Sequence, residues 1–438
     1  MSGNSFGFTA RLRNIKGYYL ARLRERLWLK PLISCLLSLF AAFVAGFADR
    51  IEITPSLPDI NSESIEELLN TLSASMLVIA VFTVGAMVSA YAAASSSATP
   101  RSFPLVIGDD VSQNALSTFI GAFIFSIVAQ VSLLNGFYGP GGRFVLFLLT
   151  IFVFSVVILG FVRWVDRIAR LGRVGNTIEK VECATDRALM ARARFPTLGA
   201  CAASSTAAGI AVYSQSIGYV QNIDVARLQK IAEQSNCHID VCVLPGAFLS
   251  PDRPLAYIRR DTEEETPANK AGIIAAFVIA RDRTFESDPR FGLIVLSEIA
   301  SRALSPAVND PGTAIQIIGA FVRLFVRWSD ARRGAEDTKV EFDRVAIPAL
   351  SIEDLFDDAF SSIARQGAKS IEVGIRLQKS LSSLAQSGSE EMTQVARQQA
   401  RKAFDLASHY LETAQELETL SAVADRHKNC ETNNNART

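Results

Sequence analysis

Residues 72–94 read LSASMLVIAVFTVGAMVSAYAAA, a run without a single Asp, Glu, Lys or Arg. Three further uncharged runs surround it: LISCLLSLFAAFVAGF at 32–47, LSTFIGAFIFSIVAQVSLL at 116–134 and FVLFLLTIFVFSVVILGF at 144–161. A helix needs about 20 apolar residues to cross a hydrocarbon core about 30 Å thick. The four windows therefore read as four transmembrane helices. Soluble helices keep a polar face, so uncharged runs this closely spaced do not suit a water-filled surrounding. The first window is the shortest, and the Ala45-Gly46-Phe47-Ala48 at its end resembles a signal-peptidase site. A cleaved leader is the alternative there; the basic segment before it is longer than a usual leader's and favours a retained anchor.

Charge gives the orientation. The total is zero, 44 basic against 44 acidic residues in 438, which suggests no nucleic-acid partner. Before the first span stand Arg11, Arg13, Lys16, Arg22, Arg24, Arg26 and Lys30 against Glu25, and past the fourth stand Arg163, Arg167, Arg170 and Arg173. The loop from Asp49 to Asn70 is acidic, with Arg50 its one basic residue. Basic residues stay on the cytoplasmic side, which puts both termini inside and the acidic loop outside, in a multi-pass protein. Trp28 and Trp164 then fall at the inner interface. The interleaved leucines and arginines of residues 8–30 suit an amphipathic helix on an anionic leaflet or a plain topology signal. Six scattered cysteines do not form a disulfide framework.

The pattern divides the chain into a basic N-terminal helix (1–30), a four-helix membrane domain (31–165) and a connecting helix (166–196) that continues the fourth span without a break. A small β-rich domain (197–260) follows, then an α/β part (261–350), C-terminal helices (351–427) and a disordered tail (428–438). The fold class is a membrane α-helical bundle with a cytoplasmic α+β domain behind it. The β runs GIAVYSQ, SIGYVQNI, HIDVCVLP and PLAYI, with one helix among them and a Pro-Gly turn before the last, loosely resemble a barrel-sandwich of the lipoyl type. No lysine stands at a hairpin tip, so no prosthetic group or other cofactor is expected.

On the second span, Thr83, Ala86, Ala90, Ala93 and Ser97 recur at helical spacing, with Gly85, Ser89, Ala92 and Ser96 beside them. Small side chains let helix backbones approach closely, so this face is expected to pack against another helix or to line a narrow pore. The span is expected to run on until Thr99-Pro100 stops it.

The densest polar punctuation inside an apolar stretch is ARDRTFESDPRFGLIVLSEIASRALSPAVNDPGTA, residues 280–314. Its R-x-R-T-F-x-x-D-P-x-F-G run, Arg281 to Gly292, and its L-S-P-x-x-N-D-P-x-T-A run, Leu304 to Ala314, resemble those of bacterial predicted inner-membrane proteins of domain-of-unknown-function family twenty-two fifty-four. The likeness extends to Thr99-Pro100-Arg101, Gly218 to Gln221, Ile223-Asp224, Pro245-Gly246 and Ala364 to Ala368. It departs after the fourth span, where many relatives have a histidine and this chain reads FVRWVDRIAR. The resemblance implies a topology and a location, and no established activity.

Asn309-Asp310-Pro311-Gly312 has the composition of a turn that caps the next helix. Alternatively, Arg281, Arg283, Asp288, Asn309 and Asp310 meet at a site for an ion or a small anionic ligand, because charges inside an apolar context need partners. In CHIDVC, residues 238 and 242 of an alternating strand share a face and 237 lies on the other, so Cys237, His238 and Cys242 do not converge on a metal. His409 and His427 have no clustered partners. No phosphate loop, nucleophile elbow, HExxH or CxxC is present, so an enzyme is not expected. Spans without acids, bases or histidines disfavour a proton-coupled carrier. Two functions remain: an oligomeric, channel-like protein gated through its cytoplasmic domain, and a signalling or scaffold protein whose cytoplasmic domain binds a ligand or partner.

Overall fold

The computed structural model describes residues 28–47, 60–107, 110–203, 209–260, 269–334 and 340–435. Most of the expected basic N-terminal helix, residues 1–27, and part of the acidic loop, residues 48–59, lie outside the described residues. The chain divides between Thr177 and Ile178 into two compact units.

The first unit holds the four membrane helices: α1 (Leu29–Phe47), α2 (Ser62–Ser97), α4 (Asp110–Leu134) and α5 (Pro140–Leu171), with the short α3 (Phe103–Ile107) between α2 and α4. Each is long and apolar enough to cross a bilayer. The Asn61 side chain accepts the Glu63 N–H to start α2, and an acid in the first turn suits the helix dipole. As expected, the helix stops just before Thr99-Pro100, where Thr99 caps a 3₁₀ turn. Leu77, Val78, Val81 and Phe82 face outward while Leu72, Met76, Thr83 and Met87 are buried, the division expected of a lipid-facing helix packed on one side.

A tight helix approach, however, joins α1 and α4: a Cβ at Gly121 would collide with Ser34 Oγ. On α2 the expected small-residue face is only partly covered. Thr83 is buried, Ala86 and Ala90 are half-buried, and Ala93 is exposed. Trp164, expected at the inner interface, is buried edge-on against Phe82 and Phe119, with centroids 6.1 and 6.5 Å away. Trp28 stays exposed.

The fourth span does not continue unbroken. α5 ends at Leu171, Gly172 caps it, and α6 (Val174–Arg194) begins two residues later. Gly172 and Gly175 bracket the break, and glycine is among the weakest helix formers.

In the second unit, β1 (Ala200–Ala202), β2 (Ile210–Tyr213), β3 (Gly218–Ile223), β4 (Cys237–Val241), β5 (Phe248–Leu249), β6 (Pro254–Arg260), β7 (Phe277–Ala280) and β8 (Phe342–Ile347) form two sheets, with α7 (Val225–Gln234) between β3 and β4. Their orders are β1-β8-β4-β6-β2 and β5-β3-β7. β8 runs parallel to both β1 and β4, and the other pairs are antiparallel. The β part therefore extends beyond residues 197–260, because it draws β7 and β8 from the following region. Val220, Leu228, Ile239, Leu255, Ile258, Val345 and Ile347 fill its core. Along β4 burial alternates, with Cys237 inside and His238 half-exposed.

After the short α8 (Lys270–Ile274) come α9 (Pro289–Ala303) and α10 (Pro311–Arg333), then α11 (Ile352–Phe356), which passes through a π-helical turn, Asp357–Ser361, into α12 (Ser362–Gln366). Phe321 and Phe325 of α10 pack on Phe356 and Phe360 of that segment, with ring centroids 4.6 to 6.0 Å apart. The helical run is interrupted at Gly367, where a Cβ would press on Val373, and resumes after Ser370 as α13 (Ile371–Ser387). α13 and α14 (Glu390–Tyr410) form a hairpin, tied by Gln378 Nε2 donating to Ala400 O at 2.9 Å. α15 (Ala414–Asn435) runs past the point where the sequence suggested a structureless tail. No Gly or Pro follows Gly388 to stop it.

Candidate functional site

The turn from β7 into α9 folds around one carboxylate. Asp288 caps α9, with Pro289 at the first helical position, and its Oδ1 accepts the Phe291 N–H at 3.1 Å. Arg283 reaches the same group with both arms of its fork, Nε to Oδ2 at 2.7 Å and Nη2 to Oδ1 at 3.1 Å. The Arg283 guanidinium lies 5.4 Å from the Phe291 ring centroid, and Phe291 packs on Phe285 at 4.7 Å. Gln221 of β3 holds the turn from behind by donating to Asp282 O at 2.7 Å. Gly246, of the Pro245-Gly246 turn, sits directly on the acid: its φ is +94°, and a Cβ there would collide with Asp288 Oδ2. Asp288 is 2% exposed. Burial raises its carboxyl above the usual range, against the lowering by Arg283.

Arg290, in the first turn of α9, grips Asp358 of the π-helical turn through Nε at 2.6 Å and Nη2 at 3.3 Å, and Asp354 through Nη1. α6 and α10 are joined by two further ion pairs, Glu182 with Arg323 at 2.7 Å and Asp186 with Arg327 at 3.1 Å. The rungs ascend together, so the two helices run in the same direction. Higher on α6 is Arg192. It stands on the stripe of Ile178, Val181, Thr185, Ala188 and Leu189, is 4% exposed, and has no hydrogen-bond partner for Nη1 or Nη2 among the described residues. Burial lowers its pKa to about 10, with the Asp288 charge acting the other way.

Asp310 caps α10, its two oxygens accepting the Thr313 N–H at 3.1 Å and the Thr313 hydroxyl at 2.6 Å. Those hydrogen bonds hold its carboxyl below the usual range. Asn309 takes φ of +51° to make the corner, and the Asp310 N–H closes it on Ala303 O at 2.8 Å. Of the five residues expected to meet, only Arg283 and Asp288 do so. Arg281 is exposed, and exposed Asn309 and Asp310 lie at the far end of α9 from Asp288. At about 1.5 Å per residue, the 15 residues of α9 separate the two ends by about 22 Å. Among the described residues no group of three His, Cys, Asp or Glu side chains is placed to hold a metal.

A family model described as predicted membrane protein, DUF2254, matches residues 24–383. The chain belongs to the DUF2254 family. Uncharacterized proteins of Mycobacterium bovis and Mycobacterium tuberculosis are each 35% identical to it over 104 residues, which is 23% of this chain. The matched stretch covers 20% of the length of those relatives. No solved structure matches.

In this DUF2254 protein the first motif is thus a buried clamp and the second an exposed helix cap. Sequence reasoning missed Arg192, Arg290, Asp354 and Asp358. For Arg192 a signal exists: it is a cation at an apolar position of an otherwise regular amphipathic stripe. Arg290 and Asp358 are 68 residues apart and carry no local signal. Chemically the guanidinium groups and acids described here balance in number, and Arg192 differs from the other arginines in having both terminal nitrogens without a hydrogen-bond partner among the described residues.

Proposed function

We propose that this DUF2254 protein is an oligomeric, channel-like protein of the bacterial inner membrane. Both termini and the C-terminal unit lie in the cytoplasm, and that unit regulates the membrane helices. The observation that carries the reading is the outward stripe of α2. Gly85, Ser89, Ala92 and Ser96 are exposed in a single copy, and a Cβ at Gly85 would meet nothing within 4 Å. At 100° per residue these four positions fall within an arc of about 60°. Lipid tails pack poorly against so small a surface, whereas a second helix backbone gains by close approach. The interiors of α2, α4 and α5 are filled by Leu72, Met76, Phe119, Val157 and Trp164, so a pore would run between copies arranged about a closed symmetry axis. Positive residues flanking the spans support the orientation. No catalytic step is assigned.

The test measures mass and conductance together. Detergent-solubilised protein is expected at a multiple of the subunit mass, with discrete currents in a planar bilayer, and Ser89→Phe is expected to abolish both. A single-subunit mass with no current under voltage, tension or candidate ligands rejects the reading. A second reading, a ligand-binding signalling or scaffold protein anchored by the same helices, is favoured by the unmatched charge of Arg192.

A further inference from the structure

A cavity of about 20 Å³ in the C-terminal unit is lined by Arg192, Pro196, Trp328, Arg332, Ala349 and Leu350. Both charged residues in that lining are cations. Arg192 Nη1 and Nη2 and Trp328 Nε1 are buried without a hydrogen-bond partner among the described residues, so two of the residues that line this cavity carry three unpartnered N–H-bearing nitrogens. Buried donors are normally satisfied, and a buried charge is strongly unfavourable unless paired. The acid whose charge acts on Arg192 is Asp288. Asp288 is held by Arg283 through both oxygens, while Glu182 and Asp186 pair with Arg323 and Arg327. The Arg332 guanidinium stands 5.0 Å over the Trp328 ring and adds a second positive charge at the wall. With its pKa at about 10, Arg192 remains charged at neutral pH.

Size and donor geometry narrow the occupant. A planar guanidinium with both terminal nitrogens open matches two oxygens of a carboxylate or phosphate, and an indole N–H can serve a third. A spherical halide leaves that fork half used. A volume near that of one water site admits the head of an anion and leaves the rest of the molecule outside. We propose that this cavity is a binding site for an oxyanion group, phosphate or carboxylate, gripped by the Arg192 fork and Trp328 Nε1 beside Arg332. The site stands whether or not the membrane helices conduct ions.

Isothermal titration of the full chain in a neutral detergent, in buffer free of phosphate and carboxylate, tests this with inorganic phosphate, acetate and chloride at matched ionic strength. Saturable binding of phosphate or acetate and none of chloride is expected. Arg192→Gln should weaken it at least tenfold. Trp328→Phe, which keeps the ring and removes the donor, should weaken it several-fold. If Arg192→Gln does not fold, Arg192→Lys carries the test, since it keeps the charge and loses the fork. The proposal is overturned if the wild-type chain binds neither oxyanion, or if affinity is unchanged in both the Arg192 and Trp328 variants. Dioctanoylphosphatidic acid in mixed micelles separates the sources: competition with inorganic phosphate assigns a lipid headgroup, lack of competition assigns a soluble anion, and either upholds the site.

Discussion

Two motifs flank α9, and they differ in what surrounds their aspartates. Asp288, before the helix, is sealed beneath Gly246, gripped by Arg283 and bonded to the Phe291 N–H. Asp310, after it, is exposed, and its carboxylate bonds Thr313 of its own next turn. Both occupy the same formal position, the cap before a proline-led helix. Similar sequence grammar, Asp-Pro at a helix start, therefore serves a long-range clamp in one place and local punctuation in the other. What separates them is the environment supplied by β3, the Pro245-Gly246 turn and α6.

The contrast breaks first at Asp288. Asp288→Ala removes a cap and leaves the 17% exposed Arg283 without its acid, and breaking a buried pair costs about 3–5 kcal/mol. Thermal or denaturant unfolding of the purified chain measures it; a loss below about 1 kcal/mol would mean the clamp is not stabilising. Gly246→Ala tests the lid over the acid without touching its charge. The added methyl meets Asp288 at a backbone angle of +94°, and strain of this kind costs about 1–3 kcal/mol. An unchanged melting temperature would show that the turn and the acid are not pressed together.

Asp310→Ala has the smallest expected effect, about 1 kcal/mol, the usual worth of a cap. Its sign with pH sharpens the comparison. The folded Asp310 carboxyl titrates below its ordinary range, so the folded state favours the ionised form. The stabilisation is present above the unfolded pKa of about 4 and is lost as pH falls through the depressed folded value. Unfolding of wild type and Asp310→Asn should therefore differ at pH 7 and converge in acid. A gap that widens in acid rejects the assignment.

The membrane helices were legible because hydrocarbon demands long uncharged runs, a requirement each window states by itself. Their packing was less so. The tight α1–α4 approach rests on Gly121 meeting Ser34, two residues of different windows that carry no mutual signal. The cap at Asn309-Asp310 was readable because its bonds span three residues. The clamp was half readable: Arg283 and Asp288 are five apart, while Gly246 and Arg192 reach the site from elsewhere in the fold. The parallel pairing of β8 with β1 and β4 likewise joins residues more than a hundred positions apart, which is why the β-rich boundary at 260 fell too early.

The π-helical turn at Asp357–Ser361 has one more consequence. A π turn holds an extra residue relative to the regular spiral, so the segment behaves as a helix carrying a one-residue insertion. Winding the same residues as an ordinary α-helix, with none deleted, would swing everything beyond them by about 100°. Ile363 and Ala364, both buried, would turn away from α9, and Asp358 would lose its alignment with Arg290. The extra residue and the π turn are thus coupled: homologous chains that wind regularly here are expected to be one residue shorter in this stretch.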